Sequence, residues 1–371
     1  MIQFYDVGSL PFSGDETKFI KSLDAINSHE TGLTDNYFEK KIVDVFIDKI
    51  KSGIDISNYP QFRDMNKMFL ELIHGLQKTN GEYIEVNIPT IPEEKTEIPE
   101  VLAIKRNTKK IFQKINEDVR LKICITGPYT ISSQFGFKEG DTFLRIGKVI
   151  EQIVEKNSFR NKYGCVEMLS LDEPTFGTID DKLLDIGSDG REKLLKAWEG
   201  IFRKSKKNEM KTIIHLHDTN DKLFWDVPSL DIIESHVYDK LYSNNKTKKY
   251  LESRDKFLKA SISISKFDTL IEKKIVSESN IKDEIKILEK IAEIWKEINN
   301  KRLDPSNFLE NADLLEKRLI KNIDTFGKNR ILYAGPECGL KSFPSYKCAM
   351  DYFKINSRTI SNVNNKLNMI R

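Results

Sequence analysis

At 371 residues the chain is long enough for one large α/β barrel or for two ordinary domains, and a hydrophobic fraction of 39% supports a sizeable core. Lys and Arg (60) nearly balance Asp and Glu (57), and the resulting net charge of +3 makes no electrostatic case for nucleic acid. The first residues reach Asp6 before any long apolar run, no uncharged window attains the ~18 residues of a membrane span, and four cysteines are too few for a disulfide framework, so a cytoplasmic protein with free thiols and no membrane partner is expected.

In chain order, Ile2 to Val7 alternates as a strand and runs into the turn Gly8-Ser9-Leu10-Pro11. A long polar connection leads to a helix over about Asn36 to Lys51, a second strand at Gly53 to Ser57, the loop Asn58 to Asp64 and a helix ending near Asn80. Residues 81–99, with prolines at 89, 92 and 99, predict an inserted hairpin or extended arm. A helix over Glu100 to Asn116 and a strand at Leu121 to Thr126 follow. The next helix, Asp141 to Asn157, places Ile146, Val149, Ile150 and Ile153 at helical spacing, and Cys165 to Leu171 is the fourth strand. After a helix at Gly190 to Lys206 come a fifth strand over Ile213 to Asp218 and a sixth at Leu230 to Glu234. Lys259 to Ser265 is the seventh. The interval 266–329 is too long for one crossover and holds helices at about Lys282 to Asn299 and Asn311 to Asn322. Arg330 to Ala334 is the eighth strand, and a helix over Tyr346 to Asn364 follows it. Eight short strands separated mainly by helices predict an α/β fold, a closed (β/α)8 TIM barrel with an inserted arm and a helical insertion, forming one catalytic barrel over 1–371. An open doubly wound sheet is the alternative.

Two of the five histidines, His215 and His217, lie one residue apart on the fifth strand, so both imidazoles point the same way. Such a pair either hydrogen-bonds in a polar barrel mouth or binds metal. Glu234 ends the next strand and Cys338 follows the last, in the turn Gly335-Pro336-Glu337-Cys338-Gly339. Two imidazoles, a carboxylate and a thiolate at separate strand ends suit a four-ligand zinc site. Asp172 and Glu173 are adjacent and point to opposite strand faces, so only one can face the barrel mouth, where it would hold a cationic amine or pair with a neighbouring base. Gly8-Ser9 would present backbone N–H groups to a carboxylate, or simply form a turn.

Asp6-Val7-Gly8-Ser9-Leu10-Pro11, Ile125-Thr126-Gly127-Pro128-Tyr129-Thr130, Leu171-Asp172-Glu173-Pro174, the strand at His215, Glu234, and Gly335 to Lys341 together resemble the catalytic C-terminal barrel of cobalamin-independent methionine synthase, in its short single-barrel form. The resemblance runs from the first strand to the last. It implies methionine biosynthesis by zinc-dependent transfer of a methyl group to a thiol, with homocysteine as the usual acceptor and another thiol such as coenzyme M as the variant. By position His215, Glu234 and Cys338 would be zinc ligands, Ser9 would meet the amino acid's carboxylate, Asp172 its ammonium, and Gln61 would stand near a second amine-binding position. The pattern departs from the family in three ways. His217 replaces a cysteine yet remains a normal zinc ligand. The short form leaves the methyl donor as either methyltetrahydrofolate or a methylcorrinoid protein. The family's catalytic histidine after the seventh strand is absent, with Ser263, Ser265 and Lys266 in that region, which leaves proton transfer to His236 or to no side chain. Two further readings are a metal-free decarboxylase of the uroporphyrinogen type and a barrel in which polar contacts only stabilise the mouth.

Overall fold

Short apolar runs bounded by Gly, Pro, Asn and Asp become eight parallel strands: β1 (Gln3–Phe4), β2 (Ser57–Asn58), β3 (Val119–Thr126), β4 (Gly164–Glu173), β5 (Lys211–Leu216), β6 (Ile232–Glu234), β7 (Phe257–Ser263) and β8 (Ile331–Pro336). The computed structural model describes residues 1–27, 36–279, 281 and 283–369. Pairing runs β2-β3-β4-β5-β6-β7-β8-β1, and parallel bridges Tyr5–Ile56 and Ser9–Gln61 bring β1 back to the β2 segment. The result is a TIM-type barrel with helices packed outside it. Ser188, Asp283 and Asn311 accept backbone N–H bonds at the starts of the helices Asp189–Lys207, Glu284–Asn299 and Ala312–Phe326, which satisfies donors that a helix end would leave orphaned.

Between β2 and β3 the structure differs from expectation. The helix expected to end near Asn80 is confined to Lys67–Leu70, and the arm begins earlier, as an antiparallel hairpin of His74–Thr79 with Glu82–Thr90. Gly75 at φ 88° cannot continue a helix. Asn80 and Gly81, at φ 52° and 91°, form the tight turn that an Asn-Gly pair favours. The polar connection before residue 36 contains the helix Glu16–Asn27. The enlarged β7–β8 connection is helical, with Phe267–Ser279, Glu284–Asn299 and Ala312–Phe326; Lys282, the expected first residue of the middle helix, lies outside the described residues. No helix among the described residues is long and apolar enough to cross a membrane.

Two cores result. The larger fills the space between barrel and helices, and a small one of Tyr5, Ile56, Met168, Ile213, Ile232 and Tyr333 plugs the inside of the barrel from below. Above this plug the interior is charged. Asp6, Lys122, Asp172, His215, Glu234 and Lys259 are all at most 5% exposed, and so is Lys49, which reaches Asp6 from the outer helix Tyr37–Lys51. Because buried charge survives only when paired, these groups hold one another: Lys49 Nζ lies 2.7 Å from Asp6 Oδ2, and Lys259 Nζ 2.7 Å from Glu234 Oε2.

Candidate metal centre

The two-residue period of a strand stacks the interior side chains of β5 and β6 in matching layers. Ile213 pairs with Ile232 in the plug, and His215 pairs with Glu234 one layer higher. His217 and His236, two residues further along each chain, form the next layer, with their ring centroids 4.3 Å apart. Asp172 of β4 is in register with His215, which sets Asp172, His215 and Glu234 side by side across three strands.

Cys338 arrives from the turn after β8. Its neighbour Glu337 ties that turn to two others, for Oε2 accepts from the Val237 N–H at 2.8 Å and Oε1 from the Ser265 N–H at 3.0 Å. Donor atoms of His215, His217, His236 and Cys338 all lie within 4.8 Å of one another, and Cys338 Sγ is 3.7 Å from His217 Nε2. Nε2 of His215 and Nε2 of His236 are buried with no hydrogen-bond partner among the described residues, whereas Nδ1 of His215 faces Glu234 Oε1 at 3.2 Å. Orphaned buried donors are costly, and a divalent cation satisfies them. Three imidazoles and a thiolate are a tetrahedral set of the kind such a cation takes, so the residues present fit a metal.

Electrostatics favours the same arrangement. Burial opposes ionisation of the Cys338 thiol, yet the imidazoles of His215, His217 and His236 pull it well below its ordinary range. Burial likewise opposes a charged His215, but the Cys338 sulfur and the Glu234 carboxylate lift it to about 10. Glu234 is held ionised: burial works against the charge, and Lys259, Lys122 and His215 overcome it. Burial raises Asp172, with His215 and Lys122 acting in opposition.

The other expected site residues fall into two groups. Ser9, Gln61 and Asp172 line a cavity of about 210 Å³ together with Arg63, His215, His217, Cys338, Gly339 and Lys341. Its walls are sewn to each other, since Gln61 N–H donates to the Gly8 carbonyl at 3.1 Å and Leu340 N–H to the Ser9 carbonyl at 2.7 Å. Gly8 contributes that backbone acceptor at φ +132°, and a Cβ there would lie 2.0 Å from Asn58 Nδ2. Glu173 and Glu234 stand outside the cavity and the cluster. Glu173 points away from the barrel, accepting from Trp198 Nε1 at 2.8 Å, Tyr129 N–H at 3.0 Å and Thr130 N–H at 2.7 Å. Glu234 lies a layer below the four converging donors. A second cavity of about 760 Å³ opens on the other side of His217 and Cys338, lined by His236, Tyr238, Ser265, Lys266 and Lys341 among others.

No family model and no curated protein matches this sequence. In fold, the chain is similar to B12-independent methionine synthases. One from Shewanella sp. W3-18-1, in complex with selenomethionine, matches over 99% of this chain and 98% of its own with a TM-score of 0.60 and 14% identity. A putative vitamin-B12 independent methionine synthase from Listeria monocytogenes matches over 98% of both chains, with a TM-score of 0.60 and 12% identity. At such identities the likeness is one of fold.

Sequence reasoning missed Lys122 and Lys259. A signal existed, for each interrupts an otherwise apolar strand, in Leu121-Lys122-Ile123 and Leu258-Lys259-Ala260, where a lone lysine has to find a buried anion. It also missed Arg63 and Lys341 at the cavity wall, whose positions depend on loop geometry.

Proposed function

We propose that this chain is a zinc-dependent methyltransferase acting on a thiol, and that homocysteine is the thiol its cavity suits best. The observation that carries this reading is the convergence of His215, His217, His236 and Cys338 within 4.8 Å where two cavities meet. Zinc held by one thiolate and neutral imidazoles supplies Lewis acidity that draws an incoming thiol's pKa down from ~8.5.

The chain's own residues do the rest. Asp172, set beside His215 and already accepting from Ser170 Oγ at 2.9 Å, receives the acceptor's ammonium in the smaller cavity, where Asp64 is the other carboxylate of the lining, and Ser9, with Lys341, faces the acceptor's carboxylate. That pairing favours an amino-acid thiol over coenzyme M, which offers a sulfonate to Lys341 but no ammonium to Asp172. Held at both ends, the acceptor's sulfur is directed at Cys338 and the histidines, and this fixed approach removes much of the entropy cost of a two-substrate reaction. The donor, methyltetrahydrofolate or a methylcorrinoid protein, enters by the larger cavity. His236 in this reading serves the metal; a departing tetrahydrofolate takes its proton from solvent in that open cavity, and a departing corrinoid, which keeps the electron pair on cobalt, needs none.

The test is elemental analysis of the purified chain followed by transfer of labelled methyl from methylcobalamin or methyltetrahydrofolate to homocysteine or coenzyme M. About one zinc per chain and labelled methionine are expected. A zinc-free chain, or no transfer from either donor to either thiol, overturns the proposal. Asp172→Asn should raise the KM for homocysteine by roughly 10–100-fold, the scale of a buried charged hydrogen bond, and leave zinc content unchanged. An unaltered KM removes Asp172 from the acceptor site.

A further inference from the structure

Glu234 is fully buried, and its two oxygens face His215 and Lys259. Oε1 lies 3.2 Å from His215 Nδ1, which leaves Nε2 of that ring without a partner, while Oε2 lies 2.7 Å from Lys259 Nζ. Lys259 is itself fully buried on β7 and donates to the Pro336 carbonyl at 2.7 Å, immediately below the turn that carries Cys338. Tyr5 packs against the same ammonium, its ring centroid 4.7 Å away. The carboxylate is therefore clamped between an imidazole and a lysine.

We infer that Lys259 and Glu234 act as a positioning pair that orients His215 from behind and so leaves the fourth metal position to His236. This rests on the proposed metal site, and it assigns two roles the sequence did not: Lys259 holds the carboxylate, and Glu234 supports a ligand instead of being one. A carboxylate behind a ligating histidine fixes which ring nitrogen faces the ion and raises that ligand's basicity; loss of such a support weakens metal affinity 10–100-fold without abolishing it. The layer geometry gives the reason, for Glu234 shares a level with His215 whereas His236 lies beside His217, 4.3 Å between ring centroids.

Removing one member of the pair alone would strand a buried charge and risk the fold, so the informative variant is the double change Glu234→Gln/Lys259→Met, compared with His236→Ala. Each protein, its folding verified by thermal melting, is loaded with cobalt(II) and titrated against a chelator, and its coordination is read from the visible spectrum and by X-ray absorption. The double variant should keep one equivalent of metal, bound roughly 10–100-fold more weakly, with the same one-sulfur, three-nitrogen shell as the unaltered chain. His236→Ala should lose a nitrogen scatterer and bind more weakly still. A folded double variant that holds no metal, an oxygen scatterer lost from its shell, or His236→Ala binding with undiminished affinity overturns the inference. Metal bound as described without methyl transfer to any thiol sinks the proposed function and leaves this ligand arrangement standing.

Discussion

A free thiol titrates near 8.5, and the four cysteines here depart from that value in opposite directions according to whether burial or neighbouring imidazoles prevail. Burial raises Cys124, Cys165 and Cys348, the last to about 12, whereas three imidazoles outweigh burial at Cys338. In the metal-free protein at pH 6.5, iodoacetamide should therefore label Cys338 ahead of the other three, and zinc should block it; peptide mass spectrometry measures the order, and Cys165 reacting first would contradict the cluster. At this scale the sequence was informative wherever strand alternation fixes direction. His215 and His217 could be placed on one face from their spacing alone. What spacing does not contain is the relative height of neighbouring strands, and the register of β5 with β6 is what sets Glu234 a layer below His217 and His236 beside it.

Among the elements, Glu173 is a case of a site residue by sequence that the structure puts to use elsewhere. Its carboxylate accepts the first free N–H groups of the helix Pro128–Ser132, which anchors the turn after β3 to β4 and to Trp198 of the helix Asp189–Lys207. Burial raises it from 4.5 to about 7, with hydrogen bonds from Trp198, Thr130 and Tyr129 pulling the other way. The native state thus binds this proton more tightly than the unfolded chain does. Its contribution to stability is whole below pH 4.5 and falls by about 3 kcal/mol as the pH climbs through 7. Urea unfolding between pH 4.5 and 8 should show that decline in the unaltered protein, and Glu173→Gln, which cannot titrate, should flatten it while lowering the baseline because its amide NH2 faces N–H donors. Parallel slopes in the two proteins would refute the assignment. The strands were legible because each is an apolar run stopped by Gly, Pro or acid. The His74–Thr90 hairpin begins earlier than the prolines indicate, because the Asn80-Gly81 turn pairs the residues before it with those after it and overrides the helical pattern of Leu70, Leu72 and Ile73.

For the whole molecule, the sequence held the count of strands and their alternation with helices, which is enough for a barrel. It held less about what fills one. Barrel interiors are usually layered with branched apolar residues, and here only the lowest layer is. The rest is a set of mutually dependent ions, so single deletions should be severe and paired ones mild. Lys49→Met leaves Asp6 buried and unpaired and should cost about 3–5 kcal/mol, whereas Asp6→Asn/Lys49→Met should cost distinctly less. Equilibrium unfolding in urea tests the difference, and equal losses would deny the pairing.

The two cavities that share His217, Cys338, Gly339 and Lys341 have a kinetic consequence. In the proposed reaction, with the acceptor in one cavity and the donor in the other, neither reactant has to depart before the other arrives, and no methylated form of the protein is required. Initial velocities measured at several fixed concentrations of one reactant should thus give double-reciprocal lines that intersect, where a relay through a methylated protein would make them parallel.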